Sequence, residues 1–231
     1  MSLYHSDGKG GAKYDDSKKG GKMSQLSIYV SYAWKAEEER RVVDSLEKVF
    51  NANGIHLNRD RNLGYKGSIE DYMTRLSKGD CVIVVLSKPY LESPNCMKEL
   101  LMIEDYGRFK DRVFPLTRPD AGIYSSEQRK LYIQFWSEKY EGLNAVRNPT
   151  DDINCPSLDE DRALYSKIVR RFDTLTKTLA DMKNYPEDFH IDSDFIIVFD
   201  KIRTQFPDLT KDESDEAASV TFRQKVHSIL N

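Results

Sequence analysis

The sequence predicts an α/β domain: an open, mostly parallel, doubly wound sheet with helices on both faces, followed by extra C-terminal helices. Two observations carry this. Between residues 26 and 116, β-branched and aromatic runs alternate four times with stretches of helical periodicity, the pattern of parallel strands joined by crossover helices. One of those runs, CVIVVL at 81–86, has no polar alternation, as a central strand covered on both faces requires. With 231 residues, 39% of them hydrophobic, the chain can bury one good core and a small appendage.

Residues 1–24, with GKGG and KKGGK among Ser, Asp and Lys, are too poor in apolar surface to offset the entropy of ordering and read as an arm or linker. LSIYVSY (26–32) has the content of a first strand. Val42, Val43, Leu46, Val49 and Phe50 place a helix over 37–53, closed by Gly54. IHLN (55–58) is a short second strand, followed by the polar loop RDRNLGYKG (59–67) and a helix carrying Ile69, Tyr72, Met73 and Leu76. After the strand at 81–87, Ser93 as N-cap and Pro94 in the first helical position open a helix to Tyr106, and RVFPL (112–116) is a further strand. YIQFW (132–136) reads either as an edge strand or as a partly helical crossover. A capping-box pattern, Ser157 with Glu160, opens a long helix striped by Leu164, Ile168, Phe172, Leu175, Leu179 and Met182. Two more helices are expected over 194–206 and 217–230, separated by the acidic stretch KDESDEA. The chain thus divides into an arm (1–24), a core (25–150) and a C-terminal helical extension (151–231), which either completes the fold, caps its edge or docks onto a sensor.

Composition excludes several function classes. A net charge of −3 supplies no field that would draw the chain to nucleic acid or an anionic membrane. Three cysteines, Cys81, Cys96 and Cys155, lack CxxC spacing and fit a reducing cytoplasm better than a disulfide framework or a structural zinc site. No apolar run approaches the ~20 residues of a membrane span. There is neither a GxGxxG nor a GxxxxGK[ST] motif, which leaves dinucleotide and P-loop sites of those types unsupported. The four histidines, at 5, 56, 190 and 227, stand beside no cysteine or paired carboxylate, which argues against metal and Cys-His catalysis.

In an open α/β sheet ligands bind beyond the carboxyl ends of the strands, so the loops after Tyr32, Asn58 and Ser87 should line one crevice. Glu99 stands near the start of the helix entering it, on the edge of the stripe Cys96, Leu100, Ile103. A solvated helix glutamate is normally paired three or four residues away. Positions 95, 96, 102 and 103 are Asn, Cys, Met and Ile, so no such partner exists on its own helix. A carboxylate in this setting is a candidate functional acid.

Three ordered segments match a known family. IYVSY (28–32) resembles the first box of the Toll/interleukin-1 receptor (TIR) domain. The glycine-bearing segment 58–73 resembles its BB loop, and VIVVLSKPYLESPNCMKEL (82–100) resembles its third strand and S-x-x-C-x-x-E-L signature. The match covers about residues 25–145 and departs from the commonest signature where Pro94 and Asn95 stand in place of an aromatic. The resemblance implies a flavodoxin-like fold and two kinds of activity: an interaction scaffold, or cleavage of NAD+ at the nicotinamide-ribose bond, as in many prokaryotic members. For the enzymatic branch it implies Glu99 as the catalytic acid, with NAD+ as substrate and no further cofactor. Ser31, Tyr32, Ala33, Trp34, Ser93 and Cys96 are then candidate substrate contacts. Tyr32 and Trp34 either stack on the pyridinium or are ordinary core and rim aromatics, and Cys96 reads as a packing residue rather than a nucleophile. Asp60, Arg61, Asn62 and Lys66 either reach the phosphates and riboses or pack on a neighbouring subunit. Self-association through TIR–TIR contacts, a sensor or effector partner, and a cytoplasmic antiphage or stress-signalling role complete the expectation.

Overall fold

A computed structural model describes residues 26–60, 63–145 and 156–207. Four parallel strands, β1 (Ile28–Ser31), β2 (Leu57–Asn58), β3 (Cys81–Leu86) and β4 (Val113–Thr117), form one sheet in the order β2-β1-β3-β4. The two-residue side-chain period splits the sheet into two cores. Ile28, Val30, Ile83 and Val85 face α1 (Glu37–Ala52) on one side, whereas Tyr29, Val82, Val84 and Leu86 face the other. That second side is covered by α2 (Ile69–Ser77) and, beyond the four-residue α3 (Lys88–Leu91), by α4 (Pro94–Tyr106). The expected doubly wound, mostly parallel α/β fold is therefore present.

The short helix α5 (Phe109–Arg112) leads into β4, and a single 3-10 turn (Pro119–Ala121) leads out to α6 (Ser126–Ala145). YIQFW is wholly helical within α6. Tyr132 and Trp136, four residues apart, share one face: the Tyr132 hydroxyl donates to the Ala121 carbonyl at 3.1 Å and the buried Trp136 Nε1 to the Leu91 carbonyl at 3.0 Å. The long helix α7 (Pro156–Asp181) starts at Pro156, so Ser157 lies inside its first turn instead of capping it. Ile168, Phe172, Leu175 and Leu179 of α7 pack into the second core. Past α8 (Glu187–Asp192), α9 (Ile196–Gln205) returns to the first core, where Phe199 meets Phe50 edge-on at 5.7 Å. The helices after residue 155 thus bury side chains against both faces of the sheet. The second strand contracts to Leu57–Asn58, because Ile55 folds back against α1, its amide donating to the Phe50 carbonyl at 2.9 Å. The expected arm, acidic stretch and helix over 217–230 lie outside the described residues. Among the described residues, no helix is long and apolar enough to cross a membrane.

Gly79, in the turn before β3, has the least room of the described glycines: a Cβ there would sit 2.6 Å from Cδ2 of the Tyr29 ring. Its carbonyl accepts from Arg112 Nε at 2.9 Å. Gly79→Ala is expected to cost about 1–3 kcal/mol through overpacking, read as a lowered urea midpoint at constant m.

Candidate functional site

The carboxyl ends of β1 and β3 open into a crevice of about 550 Å³, within the range of small-ligand sites. Its walls come from the β1–α1 loop, the loop after β2, α2 and the start of α4. Of the residues anticipated from sequence, Tyr32, Ala33, Trp34, Asp60, Ser93, Cys96 and Glu99 line it, joined by Leu63, Tyr72, Met73 and Asn95. Lys66 does not: it is exposed, in left-handed backbone (φ 69°), with its ammonium 5.9 Å from the Tyr65 ring. Arg61 and Asn62 lie outside the described residues.

Glu99 reaches the crevice because α4 begins where expected. Ser93 Oγ accepts the Cys96 amide at 3.4 Å and Pro94 occupies the first turn. The carboxyl is half-buried and takes a 2.6 Å hydrogen bond from Ser31 Oγ, which lies 2.8 Å from the Tyr90 hydroxyl. Ser31 itself is 1% exposed and does not line the crevice. Rather than facing a ligand, as the sequence suggested, it stands behind Glu99 because β1 ends one residue too deep. Burial pushes the Glu99 carboxyl up to about 7; the Ser31 bond opposes this, and the charge of Asp60 adds to it. Burial, and secondarily the Glu99 charge, push the Tyr72 phenol well above its ordinary value.

Tyr32 is a buried wall residue whose ring is already engaged. Arg59 Nη2 donates to its hydroxyl at 2.7 Å, and the guanidinium lies 5.1 Å from the ring centroid. Burial first, with Asp60 contributing, pushes this phenol up to about 12. Trp34 is 52% exposed at the rim, with the Lys35 ammonium 5.4 Å from its ring. Cys96 is buried, its thiol 3.7 Å from the Tyr32 carbonyl and raised by burial, as suits a packing residue.

Two supporting charges were not anticipated. Arg59, assigned to the polar loop, is buried and paired with Asp44 at 2.5 Å and Glu47 at 2.9 Å on α1. The available signal was that Asp44 and Glu47 are three residues apart, hence on one face of that helix. Glu39, the last of three glutamates at the start of α1, is 1% exposed. It accepts from the Ala33 amide at 2.6 Å and from Ser87 Oγ, joining the loops that leave β1 and β3. Burial pushes it to about 7 as well, against the pull of those two bonds. Its three-residue spacing from Val42 placed it on the buried face. Among the described residues no group of three or more His, Cys, Asp or Glu is placed to hold a metal ion.

A parallel sheet with a crevice at its carboxyl edge and two acids, Asp60 and Glu99, lining it defines a doubly wound domain of the kind that receives small molecules beyond its strand ends. The TIR-domain profile matches residues 28–147, just over half the chain, and the chain belongs to that family. Thirteen chains of solved structures match it significantly. One is from the structure of the activated Roq1 resistosome directly recognizing the pathogen effector XopQ (TIR domains). It aligns with a TM-score of 0.50 at 18% identity, covering 76% of this chain and 98% of that one, a likeness of fold. None of the curated proteins compared with the chain matched it significantly.

Proposed function

We propose that the chain is a TIR-domain NAD+ nucleosidase that cleaves the nicotinamide-ribose bond. The observation that carries this reading is Glu99, the glutamate of the S-x-x-C-x-x-E-L signature, standing half-buried on the wall of the crevice and braced by Ser31. When the N-glycosidic bond of NAD+ breaks, its electron pair goes to the pyridinium nitrogen and nicotinamide leaves neutral. No general acid is needed, so one carboxylate suffices where ordinary glycosidases use two. Ionised Glu99 orients the ribose hydroxyls and stabilises the oxocarbenium charge in a partly desolvated wall. Water adding to that cation, with loss of a proton to solvent, gives ADP-ribose; attack by the adenine of the same molecule gives a cyclic product. Trp34 offers the exposed ring for the pyridinium, a contact worth roughly 0.5–2 kcal/mol, while Tyr32 shapes the wall with Arg59 behind it. By the resemblance to the TIR family, we place this activity in a prokaryotic antiphage or stress response switched on by self-association, with no resident cofactor.

The test is nicotinamide release from NAD+ by the purified full chain at low and high protein concentration, beside Glu99→Ala. Release that rises with concentration and vanishes in the variant is expected. No release from a demonstrably assembled sample would overturn the reading in favour of a noncatalytic TIR scaffold. The exposed Tyr65 and Ile69 are the side chains that scaffold would present.

A further inference from the structure

The Tyr90 hydroxyl is completely buried, and its hydrogen-bond partner among the described residues is Ser31 Oγ. Ser31 has one proton to give. An ionised Glu99 can only accept, so that proton points at its Oε2, and the Tyr90 proton in turn must point at Ser31. The direction of the chain is thereby fixed, running from the phenol through the serine to the carboxylate, and it joins α3, β1 and α4. Without the phenol, the Ser31 rotor would be free to turn away or to accept from a protonated Glu99.

The other groups facing Glu99 do not substitute for this chain. They are Asp60 from the loop after β2, Tyr72 from α2 and Cys96 from its own helix, none of them basic. Lys35 lines the same crevice, but its ammonium lies over Trp34 at the rim. Hydroxyl donors, therefore, are what offset the desolvation of the acid.

We propose that Tyr90 is a positioning residue that, acting through Ser31, holds Glu99 as a carboxylate with one oxygen tied back and the other left for the ligand. The consequence for catalysis rests on the reading of Glu99 as the cleaving acid, but the hydrogen-bond chain can be tested without it.

The experiment is a carbon-13 carboxyl titration of Glu99 in the full chain, assigned by the signal lost in Glu99→Gln. Tyr90→Phe is expected to raise the midpoint by about half to one pH unit, and Ser31→Ala by more. In Tyr90→Phe the acid limb of kcat/KM for NAD+ should move up by the same amount, with the plateau rate above it within about threefold of wild type, because the shift costs only the fraction of ionised acid. A merely structural role would lower the melting temperature and the rate at every pH without moving the midpoint. Incorporation of 3-fluorotyrosine at position 90, which makes the phenol a stronger donor, should move the midpoint down, and serves if Tyr90→Phe does not fold. An unmoved Glu99 midpoint in a folded Tyr90→Phe or fluorotyrosine protein overturns the proposal. If wild type cleaves no NAD+, the functional reading fails while the titration still decides the chain.

Discussion

Glu99→Gln is expected to lose at least ~10²–10³-fold in NAD+ cleavage, the scale of removing a preorganised electrostatic stabiliser, and at the same time to melt higher than wild type at pH 8. The second effect follows from the first group's surroundings. Burial holds the Glu99 carboxyl at about 7 in the fold, against an ordinary value of 4.5. A carboxyl whose folded value is raised is most favourable when neutral, so its contribution is complete below about pH 4.5 and is lost as pH rises through about 7. At pH 8 the wild type therefore carries the cost of an ionised, partly desolvated acid. Gln keeps the shape and can still accept from Ser31 without that charge. Because one side of Glu99 opens to the crevice, the gain should be about 2 kcal/mol, or roughly 4–8 °C in a chain of this size. At pH 4.5 the two proteins should melt together. Thermal scans at both pH values, run beside nicotinamide release, check both halves. Equal melting temperatures at pH 8 would mean that the acid is fully hydrated and that its electrostatic leverage on an oxocarbenium ion is correspondingly weak. Glu39 has the same sign and a similar value, so Glu99→Gln should itself still lose stability between pH 5 and 8.

The strands were legible because burial on both faces leaves a local mark: Ile28, Tyr29 and Val30, and every position of Cys81–Leu86, are apolar or β-forming. The identity of 132–136 was not, since an aromatic and β-branched run satisfies both periods and only the neighbours of Tyr132 and Trp136 decide between them. Glu99 stood out because a missing helical partner is itself a local fact. Its actual donor, Ser31, is 68 residues away and cannot be found by spacing. Ser31, one residue before Tyr32, reads in the sequence as a ligand contact, whereas the depth of β1 puts it behind the acid. Arg59 hid for a related reason. An arginine in a polar loop looks solvated, and what buries it is the return of the chain against α1, a tertiary event with no signature in the loop.

That burial makes Arg59, behind the crevice wall, the site of the largest expected loss of stability near the crevice. Arg59→Met should cost about 3–5 kcal/mol, the usual penalty for removing one partner of a buried charge pair. Burial alone would lower the guanidinium, but its bonds to Asp44, Tyr32 and Glu47 prevail and hold it firmly charged. Asp44 is 52% exposed and loses little when the cation goes. Glu47, 14% exposed, and the buried Tyr32 hydroxyl lose a charged partner where water replaces it poorly. Arg59→Lys should recover only part of the loss, since a single ammonium cannot span two carboxylates and a phenol as the guanidinium fork does. Adding Glu47→Gln to Arg59→Met should restore part of that stability relative to Arg59→Met alone, because it removes a carboxylate that has lost this cation. Urea denaturation of the four proteins at pH 7 measures this. If Arg59→Met instead costs less than about 1 kcal/mol, the cluster behaves as a surface ion pair, and Tyr32 owes its position in the crevice wall to apolar packing alone.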